Sequence, residues 1–313
     1  MNIRTVSVIG IGTIGCGIAL LCAKSEQDVI IYDKSDATLD KGYKNMQLNL
    51  NSLRDEGKLK DKENEDILNR IKPVHTIIEA VKNTNLVIEC IDENIELKQK
   101  IFEVLDDLCP ENVILATCTS GLLPTTIAKN TTHPERIVVA HFWNPPHLIP
   151  LIEIVPGEKT SEETIDITVD WVRSIGREPI SMKKECIGFI GNRLQHALLR
   201  EALYIVEQGY AEAEEVDKAI EFGFGRRLPA TGPICTADLA GLDVIYSVSS
   251  YLSKDLCNSL EPSKLIKTKV ENNELGAKNG QGFYNWTQEA LKKKKMEREE
   301  VLAYFLEKDK EKL

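Results

Sequence analysis

The chain is 313 residues long, with 42% apolar and 28% charged residues and a formal net charge of −10. That length supports a sizeable core and, at roughly 150 residues per domain, two domains, while the composition is that of a globular protein. The negative charge argues against a nucleic-acid partner or an anionic membrane surface, but leaves room for a local basic pocket that takes a phosphorylated ligand.

Val6 to Ala23 is uncharged and follows MNIR, the outline of a signal peptide or a membrane span. Its glycines assign it otherwise. TVSVIGIGTIGCGIALLCAKSEQDVIIYDK reads as strand, turn, helix, strand, with strands over 5–9 and 29–32 and Asp33 closing the second. Gly10, Gly12 and Gly15 fit GxGxxG, with Thr13 and Ile14 inside the loop. In such a loop Gly10 permits the tight turn, Gly12 lets the backbone approach a pyrophosphate, and Gly15 lets the helix pack close to the strand. The helix amino terminus then offers free N–H groups and a positive dipole end to the phosphates. Asp33 stands where a carboxylate accepts hydrogen bonds from adenosine ribose hydroxyls and repels a 2′-phosphate, which favours NAD over NADP; the adjacent Lys34 softens that preference.

A charged helical stretch over 37–68 follows, then a strand over 85–91, a helix over 96–109 and strands over 112–120 and 136–142. A proline-rich corner leads into a further apolar run, LIEIV, then a helix over 164–175 and a short strand, EPISM. The alternation predicts an α/β fold, an amino-terminal Rossmann-type doubly wound parallel sheet over residues 1–184. Ligands bind outside the carboxyl ends of the strands in such sheets, where Asp33, Glu93, Ser120 and His141 all fall. Beyond Lys184 the pattern is mainly helical: stretches over 188–209, 214–225 and 236–253, and a tail over 287–313 packed through Leu302, Phe305 and Leu306. Residues 185–313 are therefore expected to form a second, all-helical domain, suited to a dimer interface or a lid.

Two titratable groups sit inside apolar strands, His141 at the end of VVAHF and Glu153 within LIEIV. An unpaired ionised carboxylate is costly to bury, and the histidine twelve residues earlier offers it a partner. The eight cysteines are scattered, none in a CxxC pair, and show no ligand spacing with the five histidines. Reduced thiols in a cytoplasmic protein and no metal site are the expectation.

GIGTIG, DENIELKQKIF, TCTSGL, HFWNPP…LIEIV, GFIGNRL, ADLAGLD and GAKNGQGFYNW occur in this order over residues 4–286. Together they resemble the 3-hydroxyacyl-CoA dehydrogenase family. The resemblance implies an NAD-dependent oxidoreductase of (S)-3-hydroxyacyl-CoA, short-chain as in 3-hydroxybutyryl-CoA, and a homodimer. It matches His141 to the family's catalytic histidine, Glu153 to the acid that pairs with it, and Ser120 to the serine that contacts the substrate oxygen. Asn192 matches an asparagine that orients substrate and histidine, and Asn144, Glu93, Lys98 and Lys278 match positions that contact or border the nicotinamide cofactor. Ser52, Lys58 and Lys60 lie where acyl-CoA members contact CoA; a solvated helix face is the alternative for the two lysines. The chain departs from the family's HFFNPVPVMKLVE at Trp143 and His147. NPPHLIPLIE is closer to the lambda-crystallin and L-gulonate 3-dehydrogenase branch, which oxidises a 3-hydroxy acid without CoA. A free 3-hydroxy acid such as L-gulonate or carnitine is therefore the second substrate class, and a non-catalytic NAD-binding structural protein the reading from another class.

Overall fold

The computed structural model describes residues 3–55 and 59–310. They fall into two compact units: the residues up to Asn192 together with those from Glu299 onward, and Arg193–Arg298. The first unit is therefore built from two stretches of chain, and the helical unit ends before the last helix does.

The first unit runs β1 (Thr5–Ile9), α1 (Thr13–Lys24), β2 (Asp28–Tyr32), α2 (Asp36–Asp55), α3 (Asp61–Asn69), β3 (Ile71–Pro73), α4 (Ile77–Val81), β4 (Leu86–Glu89), α5 (Ile95–Leu108), β5 (Ile114–Thr117), α6 (Pro124–Ile127), β6 (Ile137–Phe142), β7 (Leu151–Pro156), α7 (Glu162–Ser174) and β8 (Glu178–Ser181), then enters α8 (Gly191–Glu207). The strands form one eight-stranded sheet in the order β3-β2-β1-β4-β5-β6-β7-β8. Alternate residues of each strand face opposite sides, and helices cover both. Val6 and Val8, Leu86 and Ile88, and Val138 and Ala140 face a core shared with Ile18 and Cys22 of α1, Leu39 and Met46 of α2 and Trp171 of α7. Ile9, Val87 and Leu115 face the other, with Ala80 of α4, Phe102 and Leu105 of α5 and Ile127 of α6.

The sheet departs from all-parallel pairing at one place. β6 and β7 are antiparallel, with His141 directly opposite Glu153. A parallel connection needs a crossover of about a dozen residues or more, usually a helix, and residues 143–150 form only a short corner containing Pro145, Pro146 and Pro150. Two sequence expectations also divide. The 37–68 stretch is two helices, α2 and α3, because the Glu63 carboxylate accepts the Lys60 N–H at 2.9 Å and starts a new helix. The strand β3 and helix α4, absent from the sequence reading, are three and five residues long.

The second unit contains most of α8, α9 (Ala213–Phe222), α10 (Pro233–Ala240), α11 (Leu242–Leu252), α12 (Lys264–Glu271) and the start of α13 (Gln288–Lys310). The expected helix over 236–253 is interrupted at Gly241, whose φ of +95° no helix accommodates. In α13, Leu302 and Leu306 are half-buried and Phe305 is 37% exposed, so two of the three expected contacts carry the packing. The uncharged Val6–Ala23 stretch is a strand, a glycine loop and a helix, and among the described residues no helix is long and apolar enough to cross a membrane.

Candidate active site

The glycine loop joins β1 to α1 at the switch point of the sheet, where β1 lies between β2 and β4. Gly10 has φ +96°, and a Cβ there would lie 2.7 Å from the Cys90 carbonyl oxygen. A Cβ on Gly15 would lie 2.0 Å from the Gly10 carbonyl oxygen, so the first turn of α1 can seat only on glycine. A Cβ on Gly12 would meet nothing within 4 Å, which leaves room for a phosphate against the backbone. No side chain caps α1, and its first turn, opened by Thr13 and Ile14, holds no acid. Its amino-terminal N–H groups are therefore available to an anion. Asp33 braces this loop: its Oδ2 accepts the Ile11 N–H at 3.0 Å and its Oδ1 the Ser35 N–H at 3.0 Å. Each oxygen keeps a lone pair for a ribose hydroxyl. The loop, the uncapped helix and the strand-end acid fit a dinucleotide.

Across the switch point, the ends of β4 and β5 carry a buried ionic cluster. Glu89 is fully buried and accepts from Lys98 Nζ, Thr117 Oγ1 and the Ile91 N–H, each at 2.7 Å. Burial raises the Glu89 pKa, against the pull of Lys98 first, then Thr117 and the Ile91 N–H. Lys98 is equally buried and lies 3.4 Å from Glu93 Oε2. Its ammonium is thus spent on Glu89 and Glu93, and it supports the crevice wall from behind. Glu93 Oε1 accepts the Ser120 N–H at 3.0 Å and the Thr119 hydroxyl, which ties the turn after β5 to the loop after β4. Ser120 is exposed and its hydroxyl makes no hydrogen bond among the described residues. Its carbonyl accepts Asn192 Nδ2 at 2.8 Å. Sequence reasoning missed Glu89, although an acid inside the apolar LVIE run is the same signal that singled out Glu153.

The register of β6 and β7 places His141 and Glu153 on one face. His141 Nδ1 lies 2.7 Å from Glu153 Oε2, and the two side chains are 6% and 0% exposed. Trp143 Nε1 donates to the same Oε2 at 3.2 Å. The other oxygen, Oε1, accepts the Ile190 and Gly191 N–H groups at 3.0 and 2.9 Å, at the start of α8. Burial opposes ionisation of Glu153, but the His141 hydrogen bond, the Gly191 N–H and the neighbouring imidazole charge outweigh it and hold the carboxyl below its ordinary value. The carboxylate on Nδ1 leaves Nε2 as the nitrogen for a substrate proton. Phe189, fully buried with φ +51°, packs edge-on against the imidazole with ring centroids 5.6 Å apart.

Asn144 is exposed just after β6, joined to Pro145 by a cis peptide bond. His147 gives its carbonyl to Arg177 Nη2 at 3.2 Å. Lys278 is exposed on a loop of the second unit. Lys60 is exposed before α3; Ser52 lies on α2, but its side chain and the whole of Lys58 are outside the described residues. Among the described residues no group of three or more His, Cys, Asp or Glu is placed to hold a metal ion.

A glycine loop at a sheet switch point, with a buried imidazole–carboxylate pair on β6 and β7, separated from β1 by β4 and β5, defines a dinucleotide-dependent dehydrogenase. Comparison with known proteins agrees. The NAD-binding domain of 3-hydroxyacyl-CoA dehydrogenase matches residues 5–186, and the carboxyl-terminal domain of that enzyme matches residues 188–286. The chain is 35% identical, over 96% of both chains, to 5-formyl-3-hydroxy-2-methylpyridine 4-carboxylate 5-dehydrogenase of Mesorhizobium japonicum. It is 33% identical to a probable 3-hydroxybutyryl-CoA dehydrogenase of Bacillus subtilis, over 91% of this chain and 98% of that one. A solved structure of a 5-formyl-3-hydroxy-2-methylpyridine 4-carboxylic acid 5-dehydrogenase, described as an NAD-dependent dismutase, superimposes with a TM-score of 0.88 at 33% identity over 98% of this chain and 99% of that one. The chain belongs to the 3-hydroxyacyl-CoA dehydrogenase family, and is an NAD-dependent oxidoreductase.

Proposed function

We propose that the protein interconverts a short-chain (S)-3-hydroxyacyl-CoA and the 3-ketoacyl-CoA, with His141 and Glu153 as the acid–base couple. The observation that carries this reading is the Nδ1–Oε2 contact of 2.7 Å, which orients a buried imidazole with a carboxylate that makes no other ion pair among the described residues. When bound along the glycine loop and Asp33, NAD would supply the hydride acceptor for the carbinol carbon. His141 Nε2 removes the hydroxyl proton as the hydride leaves. Glu153 holds the ring in the tautomer with Nε2 free and offsets the positive charge that the ring acquires. Ser120, whose hydroxyl is unspent, donates to the substrate oxygen. Asn192 fixes the Ser120 turn through its carbonyl and helps to orient the substrate. Asp33, Glu93 and Asn144 border the cofactor.

A second reading is a free hydroxy acid, without CoA. NPPHLIPLIE favours it, as does a relative similar over nearly the full chain whose name specifies a free pyridine carboxylate. A panel separates the two: acetoacetyl-CoA with NADH, and 3-hydroxybutyrate, L-gulonate and carnitine with NAD, each repeated with the phosphorylated cofactor. The expected result is turnover of acetoacetyl-CoA with kcat/KM orders of magnitude above that of any free acid, and preference for NADH. A free acid that outperforms the thioester transfers the assignment to the second reading. No turnover of any member removes both.

The scattered thiols support a cytoplasmic setting, and the helical unit supports a homodimer. Ile234, Leu239 and Tyr246 of that unit are 82%, 75% and 78% exposed, an apolar surface larger than a solvated helix face requires. Sedimentation equilibrium is expected to give twice the chain mass, and Leu239→Lys to shift the protein towards monomer.

A further inference from the structure

The acid behind His141 has a partner that no comparison assigns. Trp143 follows β6 by one residue, and its indole makes three contacts around the couple. Its Nε1 donates to Glu153 Oε2 at 3.2 Å, the same oxygen that His141 Nδ1 approaches to 2.7 Å. Its ring centroid lies 5.4 Å from that of the imidazole, tilted by 50°. The far edge of the indole presses on the first residue of α8, for a Cβ on Gly191 would lie 2.2 Å from Trp143 Cζ2. Gly191 is also the residue whose N–H is held by Glu153 Oε1 at 2.9 Å.

We propose that Trp143 is a positioning residue: its indole N–H pins Glu153 Oε2 against His141 Nδ1, and its ring edge fixes the start of α8 on the other oxygen. Without the indole N–H, Oε2 keeps one side-chain donor while Oε1 keeps the Ile190 and Gly191 N–H groups, so the Oε2 end is the less firmly held across a soft terminal torsion. With it, the plane of the carboxylate is set from two directions. A phenylalanine at this place keeps the ring and lacks the donor. The chain therefore carries a hydrogen bond that the HFFNP pattern cannot make, and Gly191 is the space it requires.

The proposal rests on His141 acting as base with Glu153 behind it, so the test separates the two. Trp143→Phe, Glu153→Leu and the double variant are compared for acetoacetyl-CoA reduction, or for whichever panel substrate turns over. Trp143→Phe is expected to lower kcat by about tenfold with KM for NADH unchanged, since a hydrogen bond to a charged group is lost and no cofactor contact is touched. In the Glu153→Leu background, which offers the indole no acceptor, the same substitution is expected to change kcat by less than about twofold, because the indole acts only through that carboxylate. Additive losses would overturn the proposal and leave a packing role. Full activity of Glu153→Leu would instead overturn the assigned mechanism.

A second measurement needs no turnover. In uniformly 15N-labelled protein the three indole N–H signals, Trp143, Trp171 and Trp286, are assigned by single Trp→Phe variants. Glu153→Leu, which removes the acceptor, is expected to shift the Trp143 signal and speed its exchange with solvent. Trp171 donates to Gln27 Oε1 at 3.2 Å and is expected to stay in place, which also reports an intact fold. An unmoved Trp143 signal would sink the proposal whatever the kinetics show.

Discussion

His141→Ala is expected to lower kcat by about 10²–10⁴-fold, the usual worth of a positioned general acid or base. NADH affinity should hardly change, because the glycine loop and Asp33 lie on β1 and β2, away from β6 in the sheet order. Fluorescence titration with NADH checks the second half of this expectation, and steady-state rates the first. Glu153→Gln is expected to lose less than His141→Ala. With the amide oxygen towards His141 it keeps an acceptor for Nδ1–H but no charge to offset the imidazolium, and it leaves both the Ile190 and Gly191 N–H groups facing an NH₂. Since its donors hold Glu153 below the ordinary carboxylate range, it stays ionised well into acid, and its support of the fold is lost only as pH falls through that depressed value. Activity of His141→Ala within threefold of the parent would remove the mechanism.

Much of this was legible in the chain before any coordinates. The strand β1 was placed with its observed bounds, because a β-branched alternation ends there in a glycine whose turn admits nothing larger. His141 and Glu153 were legible because burial makes a lone charge expensive in an apolar run, so each predicts the other. The rest failed for identifiable reasons. Three-residue β3 and five-residue α4 are too short to show a period. Gly241 and the Lys60–Glu63 cap break helices whose apolar pattern runs on across the break. Antiparallel β7 follows from the length of the corner before it, a count that the alternation of strands and helices conceals. The place of Lys98 was legible and its partner was not: a helix position says nothing about which buried strand acid it will meet. Trp143 was visible as a departure, but the direction of its N–H is a matter of rotamer, which no pattern of residue types encodes.

Lys98→Met is expected to cost about 3–5 kcal/mol of stability at alkaline pH, the usual loss when one partner of a buried pair is removed. Glu89 then keeps the Thr117 hydroxyl and the Ile91 N–H but loses the Lys98 ammonium, its ion-pair partner among the described residues. Burial already raises its pKa in the parent protein, and removal of Lys98 removes the largest opposing influence. The folded variant therefore holds a proton on Glu89 that the unfolded chain, with a carboxyl near roughly 4.3, has released. The folded state binding more protons means that stability falls as pH rises from the unfolded value through the folded one. Guanidinium unfolding followed by circular dichroism is expected to show the loss in full at about pH 8 and partly recovered at about pH 5. Glu89→Gln/Lys98→Met is expected to be more stable than Lys98→Met and nearly independent of pH over that window, because no buried charge remains to be paired. A pH-independent loss in the single variant would show instead that Lys98 contributes through the packing of its stem. The crevice should register the change as well: with the ammonium gone, Glu93 loses its ion pair at 3.4 Å, and KM for NADH is expected to rise by about three- to tenfold while the His141–Glu153 couple, held by separate strands, is left in place.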